Sequence, residues 1–183
     1  MPDSVNEGKM FFREWFSTFN PKTVLDAGAG VGTYGKMIRE INPCCYVEAI
    51  EVYEPYIKEF NLDALYEHVY NQDIRDFAKE SGPQYDLIIL GDVLEHLPKQ
   101  ESIEIWKLLK CRAKFLYLSL PLEVLGREWS RGYHQHPREY EVNPHEKHEY
   151  LWELNEVIKE LGPFMWQVPF KTIGVFIAEG DLG

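Results

Sequence analysis

Four glycines crowd the eight residues GAGVGTYG, from Gly28 to Gly35, between an apolar run and a segment of helical spacing. Glycine is required where a chain turns with positive φ, or where its backbone must approach a ligand without a Cβ atom in the way. About 20 residues further on, Glu51 ends the next apolar run, where a carboxylate can accept hydrogen bonds from a ribose diol. We therefore expect the glycine loop and Glu51 to bind a nucleoside.

Apolar runs alternate with segments of helical spacing along the chain, and this alternation predicts a parallel sheet of strand and helix units. The predicted strands are TVLDA (23–27), YVEAIEV (46–52), LYEHVYNQD (65–73), YDLIILGD (85–92), KFLYLSLPL (114–122) and two terminal strands within FMWQVPFKTIGVFIAE (164–179). The predicted fold is α/β, a Rossmann-like and mostly parallel sheet with helices on both faces and a C-terminal antiparallel hairpin. Such sheets bind ligands beyond the carboxyl ends of their strands, and acids end the first four: Asp26, Glu51, Asp73 and Asp92.

Two nucleoside ligands fit the glycine loop. The residues GVGTYG (30–35) match the dinucleotide fingerprint G-x-G-x-x-G, but the turn already begins at Gly28, and Asp26 precedes it. A pyrophosphate favours a helix N-terminus without nearby carboxylates. The stretch LDAGAGVG instead resembles the D-x-G-x-G-x-G loop of class I S-adenosylmethionine-dependent methyltransferases, whose cofactor carries an ammonium group that tolerates acids.

The resemblance to this family continues through residues 23–98, because NQDIRDF is similar to its third motif and YDLIILGDVLEHLP to its fourth. It implies S-adenosylmethionine as cofactor, with Glu51 on the ribose hydroxyls, Val52 on the adenine and Asp73 on the adenine amino group. The residues predicted to contact the cofactor are Asp26, Gly28, Ala29, Gly30, Tyr34, Glu51, Val52, Asp73, Ile74, Gly91 and Asp92. Simpler interpretations stay open: Asp26 and Asp73 are also suited to capping a helix, and Glu51 to being a solvated acid.

The acceptor is expected on the later part of the chain, where residues 121–148 are predicted to form an insertion. The resemblance implies a small-molecule or sugar-like acceptor, methylated at O or N. A hydroxyl acceptor must lose a proton, and imidazole titrates near neutral pH. We predict His148 and His134 as catalytic residues, with His148 at the start of a helix predicted over 145–161, beside Tyr150 and Trp152.

A metal site is a further hypothesis. Asp92, Glu95 and His96 form a D-x-x-E-H array similar to the metal-binding E-x-x-E-H of certain O-methyltransferases, including the RNA 2'-O type, and His134 and His136 are suited to completing it. We nevertheless expect no metal, because Glu95 is predicted in the first turn of a helix, where the helix dipole stabilises a negative charge.

The whole chain of 183 residues, 45% hydrophobic, predicts a single domain over 1–183 with an N-terminal helix over 5–19. Its net charge of -11 argues against a nucleic-acid partner. No apolar run approaches the roughly 20 residues of a membrane span, and the N-terminus lacks a secretory pattern, so a cytoplasmic location is expected. The three cysteines suggest neither a disulfide framework nor a zinc site. The oligomeric state is left open.

Two other functions compete with methyl transfer. One is a nucleotide-dependent oxidoreductase or epimerase with a truncated Rossmann domain, for which 183 residues leave little room for a catalytic half. The other is a nucleoside-binding module that has the fold but no turnover. Binding of a methyl donor together with turnover would separate methyl transfer from both.

Overall fold

A computed structural model of the chain describes residues 7–123 and 142–182. Its strands are β1 (Thr23–Ala27), β2 (Tyr46–Ile50), β3 (His68–Tyr70), β4 (Tyr85–Gly91), β5 (Ala113–Glu123), β6 (Trp152–Glu153), β7 (Trp166–Pro169) and β8 (Ile173–Glu179). Its helices are α1 (Lys9–Phe19), α2 (Thr33–Ile41), α3 (Glu54–Glu59), α4 (Ile74–Lys79), α5 (Lys99–Lys110) and α6 (Leu154–Leu161). Short 3₁₀ turns lie at Leu62–Ala64, Leu94–His96 and Pro144–Glu146.

The strands form one sheet in the order β3-β2-β1-β4-β5-β8-β7, and β6 pairs with the end of β5. The pairs β1–β2, β2–β3, β1–β4 and β4–β5 are parallel, whereas β8 runs antiparallel to both β5 and β7. This confirms the predicted mostly parallel sheet with a C-terminal antiparallel hairpin. The strand order reverses between β1 and β4, and a reversal of this kind opens a crevice at the carboxyl ends of the strands.

Helices cover both faces of the sheet, which explains the continuous apolar run of β4. Leu87 and Ile89 pack in one core cluster with Phe12 of α1. The alternate residues Ile88 and Leu90 pack in the opposite cluster, which also holds the fully buried Trp106 of α5. Successive strand side chains point to opposite faces, so a strand covered on both sides must be apolar at every position.

Two helix boundaries differ from the sequence prediction. Helix α1 begins at Lys9, because Gly8 precedes it in a left-handed conformation with φ 80°, and the predicted start at residue 5 lies outside the described residues. The helix predicted over 145–161 was wrong in its first half: α6 begins at Leu154. Trp152, which the pattern placed on a helix, instead extends the sheet in β6 opposite Leu122 of β5.

The predicted insertion over 121–148 is only partly described. Residues 121–123 belong to β5. Residues 142–149, which we call the wall segment, begin with one helical residue, Val142, and then run without regular structure apart from the turn at Pro144–Glu146. His134 and His136 lie outside the described residues. Within the described ranges, no helix is both long and apolar enough to span a bilayer.

Candidate active site

A cleft of about 550 Å³ opens at the carboxyl ends of the parallel strands. Four stretches that are distant in sequence line it: the glycine loop before α2, the end of β2, the β3–α4 connection and the segment after β4. The wall segment forms a further side. The volume falls in the range of about 300–1,000 Å³ that is usual for small-molecule sites, so this cleft is the candidate active site.

The glycine loop is fastened to the end of β2 by backbone hydrogen bonds. The amides of Gly28 and Ala29 both donate to the carbonyl of Ile50, at 2.9 and 3.0 Å. Gly28 has φ 82°, and a Cβ atom there would lie 2.6 Å from Cγ2 of Val93. The position therefore requires glycine for its conformation and for its close approach to the chain after β4. The loop presents bare backbone to the cleft, as predicted.

Glu51 lies at the floor of the cleft and is only 5% exposed. Its Oε2 accepts a hydrogen bond from the Gly30 amide and its Oε1 accepts one from the Tyr53 amide, both at 2.8 Å. Burial raises the pKa of Glu51, and the two backbone donors oppose that rise. Each carboxylate oxygen can accept more than one hydrogen bond, so Glu51 holds the loop in place and keeps capacity to accept from a ligand hydroxyl.

Asp73 caps helix α4, which is the alternative left open by the sequence. Its Oδ1 accepts from the Arg75 amide at 2.8 Å and from the Arg75 Nε at 2.9 Å. The Arg75 guanidinium lowers the pKa of Asp73. The capping bonds do not remove Asp73 from the cleft, because it lines the cleft together with Ile74 and Val52.

Gly91 and Asp92 follow β4 and bring its end to the cleft. The Tyr34 ring packs so closely on Gly91 that a Cβ atom there would overlap its edge. Asp92 has φ 56°, an uncommon conformation for a residue with a side chain. It is held by its amide, which donates to the Ser119 carbonyl at 2.8 Å, and by its Oδ1, which accepts from the Ser119 hydroxyl at 3.2 Å.

Asp26 needs a correction, because it does not line the cleft. It sits within β1 rather than at its end, and it is 1% exposed. Its side chain points to the face of the sheet that carries α1 and α2, where the Tyr66 hydroxyl donates to its Oδ2 at 2.6 Å. Burial raises the pKa of Asp26 to about 7, although the Tyr66 hydrogen bond and the charge of Lys9 act in the opposite direction. The other predicted cofactor residues all line the cleft.

The wall segment brings His148 to the 3₁₀ turn after β4. The carbonyl of Glu95 accepts from the amides of Glu149 and Tyr150, at 2.8 and 3.1 Å. The rings of His96 and His148 meet edge to face with centroids 4.8 Å apart. Burial lowers the pKa of His148 to about 4, and the neighbouring His96 adds to the effect. His148 therefore lines the cleft as a neutral imidazole at neutral pH, although it does not start a helix.

Sequence reasoning missed Asn143, which is 2% exposed and lines the cleft. Its Oδ1 accepts from the His145 amide at 3.0 Å and so forms the turn that places His145 in the cleft wall. The Asn-Pro pair at 143–144 is a turn signal that could have marked this position. The predicted catalytic residue His134 lies outside the described residues, so its place relative to the cleft is not given.

The fold is shared with several solved structures. Magnesium protoporphyrin IX methyltransferase (ChlM) from Synechocystis PCC 6803, with bound SAH, is 20% identical with TM-score 0.68, over 94% of this chain and 81% of that chain. The N-terminal domain of EvdMO1 with SAH bound is 13% identical with TM-score 0.65, over 97% and 83%. The pyocyanin biosynthetic protein PhzM is 12% identical with TM-score 0.61, over 87% and 50%, so this chain spans half of that protein's length.

A cleft at the reversal point of a mostly parallel sheet is typical of Rossmann-like cofactor-binding proteins. The family model described as "Methyltransferase domain" matches residues 5–153. The chain belongs to that family and is an S-adenosylmethionine-dependent methyltransferase of the class I fold. No curated protein sequence matches the chain significantly.

Proposed function

We propose that this methyltransferase acts on a small, hydroxyl-bearing acceptor of sugar-like character. The observation that carries the proposal is the composition of the 550 Å³ cleft described above. One side carries the glycine loop and Glu51, suited to the methyl donor. The other carries carboxylate and imidazole groups from Glu95, His96 and His148, suited to a polar acceptor that must lose a proton.

The donor side is assigned from its hydrogen-bonding capacity. S-adenosylmethionine supplies, when bound, an electrophilic methyl group on a sulfonium sulfur. Glu51 accepts from the ribose hydroxyls, because its remaining lone pairs are available beside the loop. Val52 and Ile74 offer apolar contact to the adenine, and Asp73 accepts from its amino group while capping α4. Gly91 and Asp92 lie beside the methionine portion of the donor, and the Asp92 carboxylate attracts the ammonium group of that portion.

The acceptor side contributes alignment and removal of a proton. Methyl transfer is an in-line displacement, so holding the acceptor oxygen opposite the leaving sulfur supplies a large part of the rate. His148 is neutral at pH 7, but an imidazole whose pKa is lowered to about 4 is a weak general base. This weak basicity favours His148 as a group that holds or positions the reacting oxygen, rather than one that takes its proton unaided.

A nucleic-acid acceptor is disfavoured by the charge of the whole chain. The net charge is -11, with 30 acids against 19 lysines and arginines. Binding to a phosphate backbone depends on cationic side chains that release counterions. A small neutral or hydroxylated acceptor carries no such requirement.

Transfer from a radiolabelled donor tests the acceptor class directly. Purified protein is incubated with labelled S-adenosylmethionine and matched panels of sugars, phenols, amines and short RNAs. We expect label in the hydroxylated small molecules. Transfer confined to amines would contradict the oxygen acceptor, and transfer confined to RNA would contradict the small-molecule class. Equilibrium dialysis with labelled S-adenosylhomocysteine verifies in parallel that the donor site is intact.

A further inference from the structure

We propose that Glu95, His96 and His148 together bind one divalent transition-metal ion on the acceptor side of the cleft. Each residue offers one ligand atom, a carboxylate oxygen or an imidazole nitrogen, and these atoms all lie within 4.8 Å of one another. All three residues line the cleft. They come from two stretches about 50 residues apart in sequence, which the fold brings together at one point.

Glu95 provides the independent sign that this cluster serves a ligand. It is 1% exposed, and neither of its carboxylate oxygens has a hydrogen-bond partner among the described residues. Burying such a group without a partner is costly, and buried charges are normally paired or coordinate metals. The sequence expectation of no metal assumed the first turn of a helix, but Glu95 lies in the 3₁₀ turn Leu94–His96, and α5 begins only at Lys99.

The two histidines are set in place by the backbone. His96 Nδ1 lies 3.2 Å from the carbonyl oxygen of Lys147. A carbonyl only accepts, so Nδ1 carries the proton and Nε2 keeps its lone pair for an ion. Metal-binding histidines generally donate their other ring N–H to a carbonyl or carboxylate in this way. The hydrogen bonds that the Glu149 and Tyr150 amides donate to the Glu95 carbonyl hold the chain beside His148 in place.

One carboxylate and two imidazoles favour a first-row transition ion such as Zn²⁺, Mn²⁺ or Co²⁺ over Mg²⁺ and Ca²⁺, which prefer oxygen ligands. Three protein ligands leave coordination positions open toward the cleft. An ion there would bind the acceptor hydroxyl and lower its pKa, so that the hydroxyl could lose its proton nearer neutral pH. This catalytic role rests on the proposed function, whereas binding of the ion does not.

Co²⁺ is the probe, because cobalt bound to nitrogen ligands absorbs visible light and reports its coordination. Chelator-treated protein is titrated with Co²⁺ and then with Zn²⁺ as competitor. We expect one ion per chain and displacement by Zn²⁺. The variants Glu95→Gln and His148→Ala should each weaken binding by at least about tenfold, the smallest effect typical even of second-shell changes. His68→Ala is the matched control, since His68 is exposed on β3 and should leave binding unchanged.

S-adenosylhomocysteine affinity and circular dichroism are measured on every variant. Loss of cobalt binding in folded Glu95→Gln and His148→Ala, with binding retained in His68→Ala, supports the site. If the visible spectrum of stoichiometric Co²⁺ in the presence of the wild-type protein stays that of the aqueous ion, with no shift or gain in intensity, the proposal is overturned even if a variant fails to fold. Unchanged binding in Glu95→Gln also overturns it. Either result would leave the proposed function standing wherever S-adenosylhomocysteine still binds and methyl transfer proceeds in chelator.

Discussion

At the scale of single residues, the buried Asp26 carboxyl leads to a prediction about stability. The pKa of Asp26 rises from its usual 3.8 to about 7 because the carboxyl is buried. The folded state therefore holds a proton that the unfolded chain releases, so this contribution to stability is complete below pH 3.8 and is lost as the pH rises toward 7. The loss is up to about 1.4 kcal/mol per pH unit in this window.

Asp26→Asn should remove that dependence. The free energy of unfolding of the wild-type protein relative to the variant should fall between about pH 4 and 7, because only the wild type must bury a charge at the upper end. Urea unfolding at half-unit pH steps measures the difference between the two proteins, which cancels the contributions of the other acids. A difference that stays constant across this range would show that Asp26 titrates normally.

Glu51 carries the sharpest prediction for the donor. Glu51→Gln removes the negative charge and replaces one acceptor oxygen with a donor, at a cost of about 1.5–3 kcal/mol for a charge-assisted hydrogen bond. The affinity for S-adenosylhomocysteine should fall about 10-fold to 150-fold by calorimetry. Because the Gly30 and Tyr53 amides also bond to this carboxylate, a moderate loss of stability should accompany it.

The matched control for Glu51 lies three residues further along. Glu54 is an exposed acid at the start of α3, and its partner is Lys58 on the same helix. Glu54→Gln should leave the affinity for S-adenosylhomocysteine unchanged. Equal affinities in the two variants would remove Glu51 from the donor site.

The residues that the sequence predicted for the donor site line the cleft, with the exception of Asp26. Sequence patterns could predict Gly28, Glu51 and Gly91, because strand ends and glycine-rich turns have strong local signals. The prediction for Asp26 was wrong because side chains alternate along a strand. An acid near the end of a strand can therefore point toward the packed helices instead of the cleft. The approach of His148 to Glu95 was beyond sequence reasoning, since it depends on how a segment without regular structure packs.

At the scale of elements, strong apolar runs predicted β1, β4 and β5 within a few residues of their observed bounds. The helix prediction over 145–161 was wrong at its start for a physical reason. Tyr150, Trp152 and Leu154 fit either helical spacing or strand alternation, and Trp152 joins the sheet because it pairs with β5. The capping box formed by Glu153 and Glu156 marks the observed helix start, but the usual sequence signature has Ser, Thr, Asp or Asn at the first position, so Glu153 gave no clear signal.

The wall segment depends on Asn143 for its shape. Asn143→Ala removes the acceptor of the His145 amide. No residue of the turn Pro144–Glu146 is buried, so water can replace that acceptor, and the free energy of unfolding should fall by only about 0.5–1.5 kcal/mol. Urea unfolding measures the loss. Val142→Ala is the control, because the neighbouring Val142 is 67% exposed and should change little. Equal stability of the two variants would mean that the turn does not need Asn143.

At the scale of the whole molecule, the charge of -11 makes its own prediction. Affinity for nucleic acid depends on neutralising phosphates, and it falls steeply as salt rises from 50 to 200 mM when many such contacts exist. Fluorescence anisotropy with labelled RNA should therefore show no binding at micromolar protein in either salt. Tight, salt-dependent binding would require a basic surface and would reopen the question of an RNA acceptor.

Binding of the donor product should raise the thermal stability of the whole molecule, because a ligand that binds only the folded state stabilises the entire domain. At a hundredfold excess over its Kd, S-adenosylhomocysteine should add about 2.7 kcal/mol. For a chain of this size, about 2–4 °C per kcal/mol corresponds to a rise in Tm of about 5–11 °C. NAD shares the adenosine portion and is the matched control, but its pyrophosphate would meet the Glu51 and Asp92 carboxylates in the cleft. NAD should leave Tm unchanged, and a rise with NAD but none with S-adenosylhomocysteine would contradict the assignment of the cleft to the methyl donor.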